Sequence, residues 1–169
     1  MIVVILGKPC SGKGTLAKLL VDDCNLYHIS TGNLLRDNNM TNSSGKLVSD
    51  DIVNDLVSKC ILEHENVILD GYPRTMQQHT FIVDFLEQHN LKIDDIFNIE
   101  VSDDIAINRM CKRKSEENRL DDNLDTFHVR LEEFNKNTKP MIEAVNCFNV
   151  SGEKKPIEVF DIVKLKLKK

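Results

Sequence analysis

Long apolar runs are missing from this sequence. No stretch approaches the ~20 apolar residues of a membrane-spanning helix, so no membrane contact is expected. The opening MIVVIL is short and lacks the basic flank of a signal peptide, which makes a cytoplasmic protein the expectation. Paired cysteines are missing too. The five, at 10, 24, 60, 111 and 147, include no CxxC, which excludes a zinc ribbon and fits reduced thiols. There is no basic excess: 22 Lys and Arg face 27 Asp and Glu, and a net charge of -5 argues against general nucleic-acid binding. Repeats and low-complexity tracts are absent. At 169 residues, 41% hydrophobic and 29% charged, the chain suits one soluble domain, 1–169, with one well-buried core.

What is present is alternation. Apolar runs at Ile2–Leu6, Tyr27–Ser30, Val67–Asp70, Ile96–Val101 and Cys147–Val150 read as strands. Between them Ile52, Leu56 and Cys60, then Phe81, Phe85 and His89, then Leu124, Phe127, Leu131 and Phe134, recur at helical spacing. The polar stretches 37–45 and 112–123 read as exposed connections. The predicted fold is α/β, a five-stranded parallel sheet with helices on both faces. Ligands bind such sheets at the carboxyl ends of the strands.

The first strand runs directly into GKPCSGKGT, residues 7–15, and then into a helical pattern. Gly7, Gly12 and Gly14 let successive N–H groups turn towards an anion, and the following helix adds its positive end. Lys13 supplies a mobile ammonium and Thr15 a hydroxyl suited to a magnesium ion. This order is that of a phosphate-binding loop. Arginine is scarce: six of the 22 basic residues, at 36, 74, 109, 113, 119 and 130. Such scarcity points to positions where lysine would fail, those needing a planar fork on phosphate.

GKPCSGKGT, STGNLLR, KLVSDDIV, DGYPRTMQQ, RLDDN and VRLEEFNKNTKP follow in the order found in adenylate kinases, and the chain resembles that family over nearly its whole length. The resemblance implies a P-loop NTPase-like core that binds ATP, AMP and ADP with Mg²⁺, a short lid over 110–130 and an AMP-side subregion over 31–64. It assigns ATP to Gly7, Cys10, Ser11, Gly12, Lys13, Gly14, Thr15, Arg109, Arg113 and Lys155, the last through its backbone carbonyl. It assigns AMP to Thr31, Arg36, Lys46, Leu47, Val48, Gly71, Tyr72, Pro73, Arg74, Gln78, Arg119 and Arg130. Lys13, Arg74, Arg109, Arg119 and Arg130 are the expected catalytic set. Asp70 would order water around the metal, with Thr15 as a further ligand. None of the five histidines is needed for this chemistry.

Two positions depart from the family. Cys10 stands where glycine is usual; it reads as a permissive change with the thiol at the rim, so Cys10→Gly should preserve or raise turnover. The arm before Lys46 is cut to DNNMTNSSG, whose Asn and Ser oppose a helix, leaving Ser49–His64 as its main helix. Gln78 can read an adenine edge, or cap the helix that starts after Thr75; adenine recognition is the reading adopted. The expected product is two ADP, made by a monomer. A UMP or CMP kinase of the same superfamily, or a nucleotide-binding module without turnover, remain open alternatives.

Overall fold

The computed structural model describes residues 1–38, 40, 47–117 and 123–168, with side chains to residue 115 in the third segment. Five strands form one sheet: β1 (Ile2–Leu6), β2 (Tyr27–Ser30), β3 (Val67–Asp70), β4 (Asp95–Glu100) and β5 (Phe148–Ser151). Their order is β2-β3-β1-β4-β5, and every pairing is parallel. The expected sheet is found, with the last two strands shifted by a residue. β1 is buried at all five positions, as a central strand covered on both faces must be. From β1 the chain builds first towards β2 and later towards β5, so the carboxyl ends of β1, β3 and β4 open a crevice.

Helices α1 (Lys13–Cys24), α2 (Thr31–Asp37), α3 (Asp50–Leu62), α4 (Met76–Gln88), α5 (Asp103–Glu117), α6 (Leu124–Glu133), α7 (Lys139–Ala144) and α8 (Pro156–Leu167) cover the sheet. One face packs on Val3, Ile5, Ile68 and Phe97 with α1 and α8; the other packs on Val4, Leu6, Leu69 and Tyr72 with α3, α4 and α7. Among the described residues no helix is long and apolar enough to cross a membrane.

Helices stand where the periodicity put them, but two are rotated. α3 buries Val53, Val57 and Ile61 rather than Ile52, Leu56 and Cys60; Ile52 is exposed. α4 buries Ile82 and Leu86, leaving Phe81 exposed. Each helix carries two adjacent apolar rows, and the sheet selects the neighbouring one. Residues 112–117, expected in a connection, continue α5. Lys, Arg and Glu are good helix formers, and no Gly or Pro interrupts them. α2 is a further helix that the apolar spacing did not reveal; Ser30 caps it by accepting from the Asn33 N–H.

α6 passes into α7 through a π-helical turn, Phe134–Thr138. Pro140 follows within α7. Its ring would meet the carbonyl four residues back in a regular helix, and a widened turn there is the usual relief.

Candidate active site

The loop after β1 is shaped by glycine. Gly7 has φ 143, and a Cβ there would lie 2.5 Å from the Ile99 carbonyl oxygen. No other residue fits that approach. Gly12, at φ 105, is the residue before α1, so the first N–H groups of the helix face the loop. Lys13 Nζ folds over the loop and donates to the carbonyls of Gly7 (2.8 Å) and Lys8 (2.9 Å). Burial brings the Lys13 ammonium down to about 8; Asp70 opposes the shift, and Arg74 and Arg130 reinforce it.

Asp70 ends β3, with Oδ2 3.0 Å from His28 Nε2. Burial raises the carboxyl's pKa, but the His28 contact and the charges of Lys13 and Arg74 outweigh burial, so the group sits below the ordinary carboxylate range. A histidine therefore does take part in this site, against expectation. The signal was in strand alternation: His28 and Ser30 share a face of β2, and Ser30 pairs in register with Asp70.

A cavity of about 560 Å³ opens over the loop at the strand ends. Lys13, Arg36, Arg74, Arg109, Arg113 and Arg130 all line it, although they come from five separate segments of the sequence. Arg74 Nε donates to the Gly71 carbonyl at 2.7 Å. Burial lowers the Arg74 guanidinium to about 10, helped by Arg130 and Arg36 and opposed by Asp70. Arg36 donates to the Asn33 side chain. Arg109 also donates to the Ser11 carbonyl (2.9 Å) and the Gly152 carbonyl (2.7 Å), bracing the loop against the turn after β5. Gly152 permits that approach, since a Cβ there would lie 2.9 Å from the Ser11 carbonyl oxygen. Lys46 and Arg119 lie outside the described residues.

A family model described as "Adenylate kinase" matches residues 5–150. The chain belongs to the adenylate kinase family. Adenylate kinases from Bartonella tribocorum (40% identical over 83% of this chain and 84% of the relative) and Tropheryma whipplei strain Twist (35%, over 97% and 96%) are similar to it. So is that of Mycoplasma mycoides, 34% identical over 85% of each chain.

Measured against the adenylate kinase expectation, the loop residues Cys10, Ser11, Gly14 and Thr15 line the cavity, as do Leu47, Gly71 and Pro73. Several expected residues do not. Gln78 is 2% exposed; its Oε1 accepts from the Arg74 N–H (2.7 Å) and its Nε2 donates to Asp50 Oδ1 (2.7 Å). Its amide caps the start of α4 instead of facing the cavity, the role set aside in the sequence. Thr31 is buried and donates to the Gly71 carbonyl at 3.1 Å. Tyr72 is fully buried, its hydroxyl donating to Asn54 Oδ1, and Val48 packs on the core. The Lys155 carbonyl accepts from the N–H groups of Glu158 and Val159, so it starts α8 rather than facing a base.

Thr138 escaped the sequence reading. It lines the cavity from the π turn, and its hydroxyl donates to the Arg74 carbonyl at 2.9 Å. Lys18, Lys112 and Lys154 also line the cavity. No motif announced them, because lysine is common throughout the surface.

Proposed function

We propose that this chain transfers the γ-phosphoryl group of ATP to AMP, giving two ADP. The supporting observation is the convergence of Lys13 and five guanidinium groups on one cavity beside a phosphate loop. Phosphoryl transfer needs little covalent chemistry from protein; it needs in-line positioning and positive charge on the equatorial oxygens.

In this reading the ATP phosphates follow residues 7–15 and the start of α1. Lys13 leaves the Gly7 and Lys8 carbonyls for phosphate oxygens. Arg36 and Arg74 hold the monophosphate from the AMP-side subregion, 31–64, and from the loop after β3. Arg113 and Arg130 reach the transferring group from the lid, 110–130, and Arg119 joins them on its motif alone. Arg109 braces the loop and adds its charge to the ATP side of the cavity. The AMP phosphate is already ionised at pH 7, so no general base is required.

Asp70 and Thr15 offer hard oxygen donors at the mouth of the loop, a donor set that fits magnesium. In this reading the ion arrives on the ATP phosphates and Asp70 meets it through water. When bound, it neutralises phosphate charge.

With Thr31 and Gln78 engaged inside the protein, phosphorylation of CMP or UMP is the second reading. For adenine reading, Gln78 must first release Asp50. A coupled assay of ADP formation from Mg-ATP with AMP, CMP and UMP separates the two. AMP should give the highest kcat/KM. A preference for CMP or UMP overturns the AMP assignment, and no turnover with any of them leaves a binding module.

A further inference from the structure

The first turn of the phosphate loop is joined to α5 at three points. Lys8 Nζ pairs with Asp103 Oδ1 at 2.5 Å. Arg109 donates to the Ser11 carbonyl. Between them, Cys10 packs against an apolar cluster of Val101, Ala106, Met110 and Phe127, separate from the two large clusters on the sheet. Ala106 and Met110 belong to α5 and Phe127 to α6. These two helices carry Arg109, Arg113 and Arg130.

The backbone makes the residue at position 10 informative. Cys10 has φ 61, in the left-handed region, where glycine sits freely and a residue with a Cβ is disfavoured. Such a conformation persists where its surroundings over-determine it. The turn is closed by the Ser11 N–H, which donates to the Lys8 carbonyl at 3.2 Å across Pro9 and Cys10, and the Cys10 side chain adds an apolar contact that glycine could not make. A small, polarisable thiol suits that contact. Of the other two links, the Lys8–Asp103 pair is weakened by water, because the Asp103 side chain is 57% exposed. The Arg109 link holds a backbone carbonyl, and the Cys10 side chain adds the apolar contact between the turn and the helices.

We propose that Cys10 is a positioning residue whose side chain couples the phosphate loop to the α5–α6 pair. It keeps Lys13 and the arginines of both helices in fixed relation while a phosphoryl group moves between nucleotides. The proposal rests on the assignment of the loop to the ATP phosphates, and it reverses the reading of position 10 as permissive.

The test compares the full chain with Cys10→Gly, Cys10→Ala, Met110→Ala and the Cys10→Gly/Met110→Ala double variant, measuring kcat, both KM values and Tm. Cys10→Gly is expected to fold, because glycine accepts the backbone. Its kcat should fall roughly tenfold, with KM for ATP changed less than about threefold, as misplacement of reacting groups predicts. Cys10→Ala should recover part of kcat, since it keeps the β-carbon. The two substitutions should be non-additive, in kcat and in Tm. A Cys10→Gly enzyme with wild-type kcat, or additive effects in both measures, overturns the proposal. The Tm cycle needs no turnover: if the wild type were inactive, the phosphotransfer reading would fail while additivity in Tm alone would still decide against the contact and non-additivity for it.

Discussion

The Gln78 side-chain amide is held by the Asp50 carboxylate, Nε2 to Oδ1 at 2.7 Å. The other carboxylate oxygen accepts the Thr75 hydroxyl at 2.7 Å, so one side chain of α3 fastens the start of α4. Asp50→Ala leaves two donors without their charged acceptor, a loss of about 2 kcal/mol. Tm should drop by roughly 4–8 °C for a chain of this size. With both nucleotides saturating, kcat should stay within about threefold, because Asp50 touches neither phosphate in the proposed arrangement. Thermal denaturation alongside steady-state kinetics checks both parts, and an unchanged Tm would remove the fastening role.

Lys13 predicts a proton exchange. Its ammonium is lowered from 10.5 to about 8 in the nucleotide-free chain. Between those values the unfolded chain binds more protons than the folded one, so the Lys13 contribution to stability rises with pH across that window. ATP phosphates favour the ammonium and raise its pKa again. Nucleotide binding at about pH 8 to 9 should therefore take up a proton, and affinity should weaken as pH rises further. Calorimetry in two buffers of different ionisation enthalpy measures the uptake; Lys13→Met should lack it and lose turnover by orders of magnitude.

Arg130→Lys tests the fork. An ammonium cannot span two phosphate oxygens, so kcat should fall by about a hundredfold or more while both KM values move little. If KM alone rises, Arg130 binds one substrate passively.

For Asp70→Asn, the magnesium concentration giving half-maximal rate should rise about tenfold or more, since a neutral amide orders metal-bound water poorly. Chelator should abolish turnover of both proteins, and added magnesium should restore it. A variant with the wild-type magnesium curve would exclude Asp70 from the metal's surroundings.

Thr138→Val removes the hydroxyl that the Arg74 carbonyl accepts from and keeps the side chain's shape. The expected effect is on the monophosphate: KM for AMP should rise severalfold, with KM for ATP unchanged. Equal effects on both would show that the π turn supports the cavity as a whole.

Local chemistry made much of this molecule readable from its sequence. The strands announce themselves because β-branched runs end in turn residues, and the phosphate loop is a contiguous motif. Arginine scarcity worked for a physical reason: where lysine suffices for solvated surface, a guanidinium marks a place that needs its geometry, and the five described arginines share one cavity. The rotation of α3 and α4 was not readable, because Ile52 and Val53, or Phe81 and Ile82, are equally apolar and only the sheet chooses between them. Gln78 shows a related limit. Its motif fits both capping and base recognition, and the deciding partner, Asp50, lies 28 residues away in sequence. His28 was missed because its partner, too, is long-range.

Nine Lys and Arg side chains among the described residues line the cavity, with only Asp70 and Glu133 against them, in a chain whose acids outnumber its bases by 27 to 22. Among the described residues the acidic excess therefore lies outside the cavity. Two copies that collide present like-signed outer surfaces and separate, so crowded solutions of this protein should resist clumping. A nucleotide anion is repelled over most of the surface and drawn in at one mouth, which raises its rate of capture. Both effects act through solvent across distances near the ~10 Å Debye length of 0.1 M salt, so added salt should weaken mutual repulsion and nucleotide capture together.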